Sequence, residues 1–542
     1  MSTTLTVKSV PAGAMTPRRI VYAVWTLGLA ALFCLHFPHL LADFPNNSPW
    51  MDYSKYTDEG WYANAAMRHF VFGHWYLHGD FNPAVALPVW PILVAVVFHF
   101  TGVSLVAARA TALAILGLNL LLTWRIMRMF APQWVALTAV SILVTNPFLY
   151  AFSRLALLEP LSTCLLLGSW LLALGLRHRS GKRRVVRLAF IGVLLSLLVL
   201  TKTPELFLAG STWFLVAWAC EFRLGAAARA LGIVAAAAVV PWCAWYFLVV
   251  RPHYRVDFLY LFAANTWSRP TGLGGHLLAY WWALHGTLWI GRVLCLTACG
   301  VAAAPIFVAG MRRRRGGLTP GSGVAIGFWS NPLSIASLMS AGGTIFFAGW
   351  ANHPQPRYYE AVIYPLAFFL ALGAGSLAAR ARSAGARAVG AAGLAAIAGA
   401  CIAGTVQIAG YLRYPQYTWW TAAQSIARTI EQQPVSHRVL LSISGDEIEL
   451  MTGIPAICDD YGTWDLPYRI HTYRPSWFAT WNEVDEGTLD DLKTQYSLEF
   501  AGEYWAFDDP DRNHLLLFRL LPLPSARQTY DAREEELENA GK

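Results

Sequence analysis

Eleven apolar stretches separated by short basic loops limit this chain more than any other feature. They lie at roughly 20–42, 103–124, 132–151, 155–176, 188–202, 204–221, 229–250, 287–311, 323–349, 359–378 and 387–411. A membrane-crossing helix needs about 20 apolar residues. Only 13% of the 542 residues are charged, against about 25% in soluble domains. The chain therefore reads as a polytopic α-helical membrane protein of about 11 transmembrane helices. A net charge of +9 could serve nucleic acid. Here the basic residues sit in short loops between apolar runs, which is the positive-inside pattern instead.

The segment 88–101, "PVWPILVAVVFHFT", decides the topology. It is short, opens with Pro88 and Pro91, and ends near His99. If it crossed the membrane, Arg125, Arg128 and the loop "RHRSGKRRVVR" would fall outside. If it lies in the outer interface, those residues fall inside. So do Arg223, Arg229, "RRRR" at 312–315 and "ARARSAGAR" at 379–387. The second arrangement satisfies every loop. The expected plan is a cytoplasmic tail at 1–19, a membrane domain at 20–411, and a first outer loop at 43–102 that carries an interfacial helix at 88–101. The run from Ile20 is too long for a signal-peptide core, so it is expected as a retained first span.

From Arg413 the composition changes. "TAAQSIARTIEQQ" and "EGTLDDLKTQY" read as helices. "RVLLSI", "PAICDD", "LEFAGEYWAF" and "HLLLFRLL" read as strands. A small extracytoplasmic α/β domain is expected over 412–525, with a disordered tail at 526–542. It has no Gly-rich phosphate loop. The eight cysteines form no zinc spacing and no disulfide framework.

Charged residues on the outer side are then the candidates for chemistry. Asp58 and Glu59 stand in "KYTDEGWYANAAMRHF". Thr57 or Asp58 could cap a helix there. A carboxylate near an apolar surface can also take a proton from a hydroxyl, which makes Asp58 a candidate base. Glu59 would be its hydrogen-bond partner or a metal ligand. Glu159, in "SRLALLEPLSTC", is a boundary carboxylate five residues after Arg154, and the two could simply pair. Lys202, Arg269 and Arg357 lie outside, where topology does not call for cations, and His276 follows Arg269 in the same loop. Such groups suit a lipid phosphate, Arg as a fork and Lys as a point charge. "HWYLHGD" could offer His78 and Asp80 to a metal with Glu59, but no known ligand spacing supports it.

In order and predicted side, these motifs resemble the GT-C membrane glycosyltransferases that use a polyprenyl-phosphate sugar. The bacterial relatives of protein O-mannosyltransferases and the lipid A aminoarabinose transferases are the nearest branches. The likeness rests on "YTDEGWYANAAM", "LPVWPILVAVVFHFTGVSLVAARATAL", "SRLALLEPL", "LTKTPELF", "FAANTWSRPTG" and "QPRYYEAVIYPLA", over roughly residues 20–410. Two departures stand out: "FNPAVALPVWP" lacks a lysine that some relatives carry, and the second acid is Glu159 rather than Asp. The resemblance implies Asp58 as base, with Glu59 and Glu159 as further catalytic acids. It implies Arg154, Lys202, Asn265, Arg269, His276, Arg357 and Tyr358 as substrate-binding residues. The partners it implies are a polyprenyl-phosphate-linked sugar donor, the bilayer and an extracytoplasmic acceptor glycan, lipid or protein. No nucleic acid is expected. Family members vary in whether a divalent cation takes part, and no metal ligand is assigned. One base and a good leaving group imply inversion. A transporter or flippase would instead show charged or broken helices at mid-membrane. A scaffold would leave the outer acids and cations unexplained.

Overall fold

The computed structural model describes residues 17–45, 49–50, 52–264, 270–314, 328–380, 384–433, 438–482, 484–507, 509 and 512–524. Each of the eleven apolar stretches contains a described helix. Among the described residues, seven helices are long and apolar enough to cross a membrane alone. Two bent pairs raise that number to nine. One is Gln133–Val144 with Pro147–Ser153, bent by 62°, and the other is Gly272–Trp289 with Arg292–Ala304, bent by 109°. The first break has a local cause: Asn146 accepts the N–H of Leu149, and Pro147 follows it. The remaining two stretches hold shorter helices, Pro17–Cys34 and Leu206–Ala219. The first of these ends at Cys34, eight residues before the expected limit at 42.

The helices pack into one apolar core built from Leu, Ala, Val and Phe. Small residues bring backbones together. A side chain at Gly192 would collide with the carbonyl of Val234, so helices Gly181–Thr201 and Leu224–Trp245 touch along that line. Of those seven helices, Leu224–His253 has the least of its apolar window buried, 11%.

The segment 88–101 forms helix Val89–Thr101, of 13 residues. At 1.5 Å per residue it is about 20 Å long, short of the ~30 Å hydrocarbon layer. Its two faces differ. Trp90, Val94 and Phe98 are buried, whereas Ile92, Val96 and Phe100 are exposed at 47, 56 and 81%.

Beyond helix Ala384–Arg413 comes the α/β domain. Its sheet has strands β1 (Leu440–Leu441), β2 (Ala456–Ile457), β3 (Trp477–Trp481), β4 (Tyr496–Trp505) and β5 (His514–Pro522), in the order β2-β1-β3-β5-β4. β1 pairs in parallel with β2 and β3, and β5 runs antiparallel to β3 and β4. The four expected strands are present. β3 and helices Gly445–Thr452 and Leu466–Tyr473 are additions to the expected plan. The expected tail at 526–542 lies outside the described residues.

This domain is clamped to the segment 43–102. Lys55 bonds Asp509 at 2.9 Å, and the Tyr56 hydroxyl donates to the same carboxylate. Buried Arg68 reaches Asp80 at 2.7 Å and Asp446 at 3.4 Å, and Asp80 also meets Arg469 at 3.3 Å. Asp43 accepts the backbone N–H of Thr418 at 2.7 Å.

Candidate active site at one end of the bundle

The helix that carries Asp58 starts at Ser54 and runs to Val71. Asp58 is therefore in its second turn, and neither Thr57 nor Asp58 caps it. The capping contact comes from Asp52, whose Oδ1 accepts the N–H of Ser54 at 2.9 Å. Residues 54–60 are all buried, so each polar side chain there needs a partner.

Arg357 supplies that partner for two acids. It stands in the short turn Pro356–Tyr359 that opens helix Glu360–Arg380. One nitrogen lies 2.5 Å from Asp52 and the other 3.2 Å from Asp58. Asp52 also accepts the Arg357 backbone N–H at 3.0 Å. The two carboxylates consequently titrate apart. Burial pushes Asp52 upward, but the Arg357 charge and two backbone N–H bonds hold it below the usual aspartate range. Burial dominates at Asp58 and raises it, with Arg357 opposing and the charges of Asp52 and Glu159 adding to the rise. Asp58 is thus the better proton acceptor of the pair.

Lys202 forms the second part of the cluster. It follows helix Gly181–Thr201 and contacts Glu159 at 2.5 Å and Glu205 at 4.0 Å. Glu159 opens its own helix with Pro160 in the first turn, where a missing N–H costs nothing. Tyr358 joins the two halves. The Lys202 ammonium sits 4.0 Å from its ring centroid and the Arg357 guanidinium 5.1 Å. Behind them Glu360 is fully buried, and neither of its oxygens has a hydrogen-bond partner. Its charged neighbours are Glu159, Lys202 and Glu205. His353 packs edge-on against Tyr358, and burial together with Arg357 lowers it to about 4, so it is neutral at pH 7.

The structure thus brings Asp58, Glu159, Lys202, Arg357 and Tyr358 together. It does not bring in three other expected residues. Both Glu59 oxygens are taken by the Arg109 fork, at 2.7 and 2.5 Å, and Oε1 also accepts the N–H of Ala156. Glu59 is therefore a structural anchor with no oxygen turned toward Arg357. Arg154 does not pair with Glu159. It binds the Tyr150 hydroxyl and the carbonyls of Pro38 and His39, which bends the chain after the first span. His276 is exposed on helix Gly272–His285 and has no contact with the cluster. Asn265 and Arg269 lie outside the described residues.

Asp52, Glu205, Glu360 and His353 belong to the site without having been singled out as site residues in the sequence. Glu205 was visible beside Lys202 and Asp52 six residues before Asp58, but nothing local tied either to a distant cation. No group of three or more His, Cys, Asp or Glu side chains among the described residues converges as metal ligands. Asp80 and Glu59 are held by arginines instead. His74 and His78 line a separate cavity of about 1010 Å³ with Trp75, Tyr76, Trp245 and Trp464.

The apolar helices, the short helix Val89–Thr101 and the appended mixed sheet make this a multi-pass membrane protein with the GT-C glycosyltransferase fold. Over 93% of its length it superposes on ArnT from Cupriavidus metallidurans, solved bound to undecaprenyl phosphate, covering 98% of that chain. The TM-score is 0.56 and the identity 13%. Looser superpositions reach the Archaeoglobus fulgidus oligosaccharyltransferase (TM-score 0.49, 13% identity, 94% of this chain and 75% of that one) and the mycobacterial arabinofuranosyltransferase AftD (0.43, 13%, 94% and 40%). No protein-family description matches the sequence, and no curated protein does.

Proposed function

We propose that this protein is an inverting glycosyltransferase. It moves a sugar from a polyprenyl-phosphate donor to a hydroxyl of an extracytoplasmic acceptor. The observation that carries this reading is the shared Arg357 fork, which holds one acid tightly and the other at 3.2 Å. The fold and the neighbour solved with undecaprenyl phosphate support the donor class.

The geometry suggests how donor and base are linked. In the cluster five acids (Asp52, Asp58, Glu159, Glu205 and Glu360) face two cations, Lys202 and Arg357. A donor phosphate enters by displacing carboxylates from those cations. Arg357 keeps Asp52 and gives its second nitrogen to phosphate, which frees Asp58. Asp58 then takes the proton of the acceptor hydroxyl as that oxygen attacks the anomeric carbon. The bond to the lipid phosphate breaks on the opposite face. Its departing charge is met by Arg357 and Lys202, which in this site need little reorganisation.

In this reading eleven spans cross the bacterial plasma membrane, with a cytoplasmic N-terminus and the cluster outside. What supports a common side is the contacts among residues 58, 159, 202 and 357 at one end of the bundle. Arg177 and Arg184 meet Trp218 and Cys220 at other helix ends. The direct test is to delete the protein and identify the lipid-linked sugar that accumulates and the glycan that shortens. Accumulation of no such lipid refutes the reading.

A further inference from the structure

The α/β domain does not merely sit beside the acidic helix; its backbone touches the turn that carries Asp58. Helix Gly445–Thr452 crosses Ser54–Val71 at Gly60. A side chain at Gly60 would collide with the Asp446 carbonyl group and the Glu447 nitrogen. Only glycine permits that approach. At the crossing, Glu447 Oε2 accepts the Gly60 N–H at 2.7 Å. The contact is flanked by Asp446, which bonds Asn64 at 3.2 Å, and is braced from behind by Trp481, whose ring N–H bonds Ser444 at 2.9 Å.

We propose that Glu447 is a positioning residue, through which the α/β domain fixes Asp58 for transfer. This rests on the function proposed above. Glu447 is fully buried, and its second oxygen has no partner. The charged groups facing it are Glu59, Arg109 and Asp58, with Asp446 beside it on its own helix. Four of the five Arg109 N–H donors are taken by Glu59 and by the carbonyls of Leu40 and Ala42. Neither oxygen of Glu447 receives a bond from it. Burial, and then the charge of Glu59, raise Glu447 well above the usual 4.5. The folded state therefore holds this proton more tightly than the unfolded chain does. The stability contributed by this protonated state is fully present below pH 4.5 and is lost as pH rises through the elevated value, even though the Gly60 N–H, which favours the ionised acceptor, opposes the rise. Ionisation would place two carboxylates side by side with one arginine between them, loosening the turn that holds Asp58.

The test compares full-length wild type, Glu447→Ala and Glu447→Gln in lipid nanodiscs. Two readouts are taken across pH: sugar transfer, and hydrogen exchange of the amides of residues 57–64 corrected for intrinsic rate. Removing one buried acceptor should lower kcat in Glu447→Ala about tenfold, with donor KM unchanged and faster exchange at Gly60. Glutamine offers the same N–H an oxygen but cannot ionise. It should restore most of the kcat and keep amide protection into the alkaline range, where the wild type loses both. Wild-type kcat and protection in Glu447→Ala overturn the proposal. If that variant fails to fold, a Glu447→Gln protein with the wild-type alkaline limb overturns it. Absence of transfer in the wild type counts against the proposed function, while the exchange data still decide the role of Glu447.

Discussion

Replacing Asp58 with Asn changes one atom and removes the ability to accept a proton. The shape is kept, so Thr57 still reaches the side chain at about the 3.2 Å seen here, and Arg357 keeps its bond to Asp52. At 3.2 Å and an effective dielectric of 20, the lost Arg357 attraction is about 5 kcal/mol. Much of this is returned, because Asp52 and Glu159 no longer repel a neighbouring charge. Folding should therefore survive. A positioned general base contributes about 10²- to 10⁴-fold, or about 2.7–5.5 kcal/mol of barrier at 1.36 kcal/mol per tenfold. Asp58→Asn should lose that much kcat with donor affinity kept or tightened, because the phosphate no longer displaces a carboxylate from that nitrogen of Arg357. The assay is single-turnover transfer in nanodiscs, using donor extracted from a deletion strain. The pH profile gives a second check. Asp58 acts when ionised, and burial raises its pKa above 3.8. The wild-type rate should then fall as pH drops through that raised value, and the limb should vanish from the residual rate of the variant. A kcat within about threefold of wild type, or an unchanged acid limb, refutes Asp58 as the base.

Three further outcomes are expected. Arg357→Ala should weaken donor binding more than Arg357→Lys, because lysine keeps a charge but cannot bridge two acids; equal, unaltered affinity in both removes Arg357 from the phosphate site. Arg109→Met strands the buried Glu59 and should cost about 3–5 kcal/mol of stability, measured by thermal unfolding in detergent; an unaltered transition contradicts the anchor assigned to Glu59. Single cysteines near 58, 159, 202 and 357 should label from outside intact cells and one at 182 should not. Labelling of 182 from outside would sink the topology.

Much of the membrane domain was legible because apolar runs and loop charge act locally. The reading of 88–101 shows this: a short helix was expected there, and one of 13 residues is found. Strand β3 was missed because "WFATW" is four apolar or aromatic residues and one threonine, with no alternation to reveal a face. Site membership was legible only by side. Asp58, Glu159, Lys202 and Arg357 were grouped because topology put them together. Which cation meets which acid was not readable. Arg357 lies 305 positions from Asp52, and Lys202 lies 43 from Glu159. The same gap explains the errors. Glu59 is adjacent to Asp58, but neighbours on a helix point about 100° apart, so it faces Arg109. Arg154 lay near Glu159 in sequence yet turns to the carbonyls of 38 and 39.

The stripe of Ile92, Val96 and Phe100 has a consequence for where the reaction happens. Three large apolar side chains spaced by four residues form one greasy ridge on a helix whose other ridge is bolted to the protein. In the interfacial placement proposed for it, such a helix works as a depth gauge. The ridge sinks until its side chains leave water and stops where the headgroups begin, and the rigid contacts beneath it carry the Asp58 helix to the same height. A polyprenyl chain fixes the depth of its own phosphate in the same way. Under the function proposed above, enzyme and donor are levelled by one surface, and their encounter becomes a search in two dimensions rather than three.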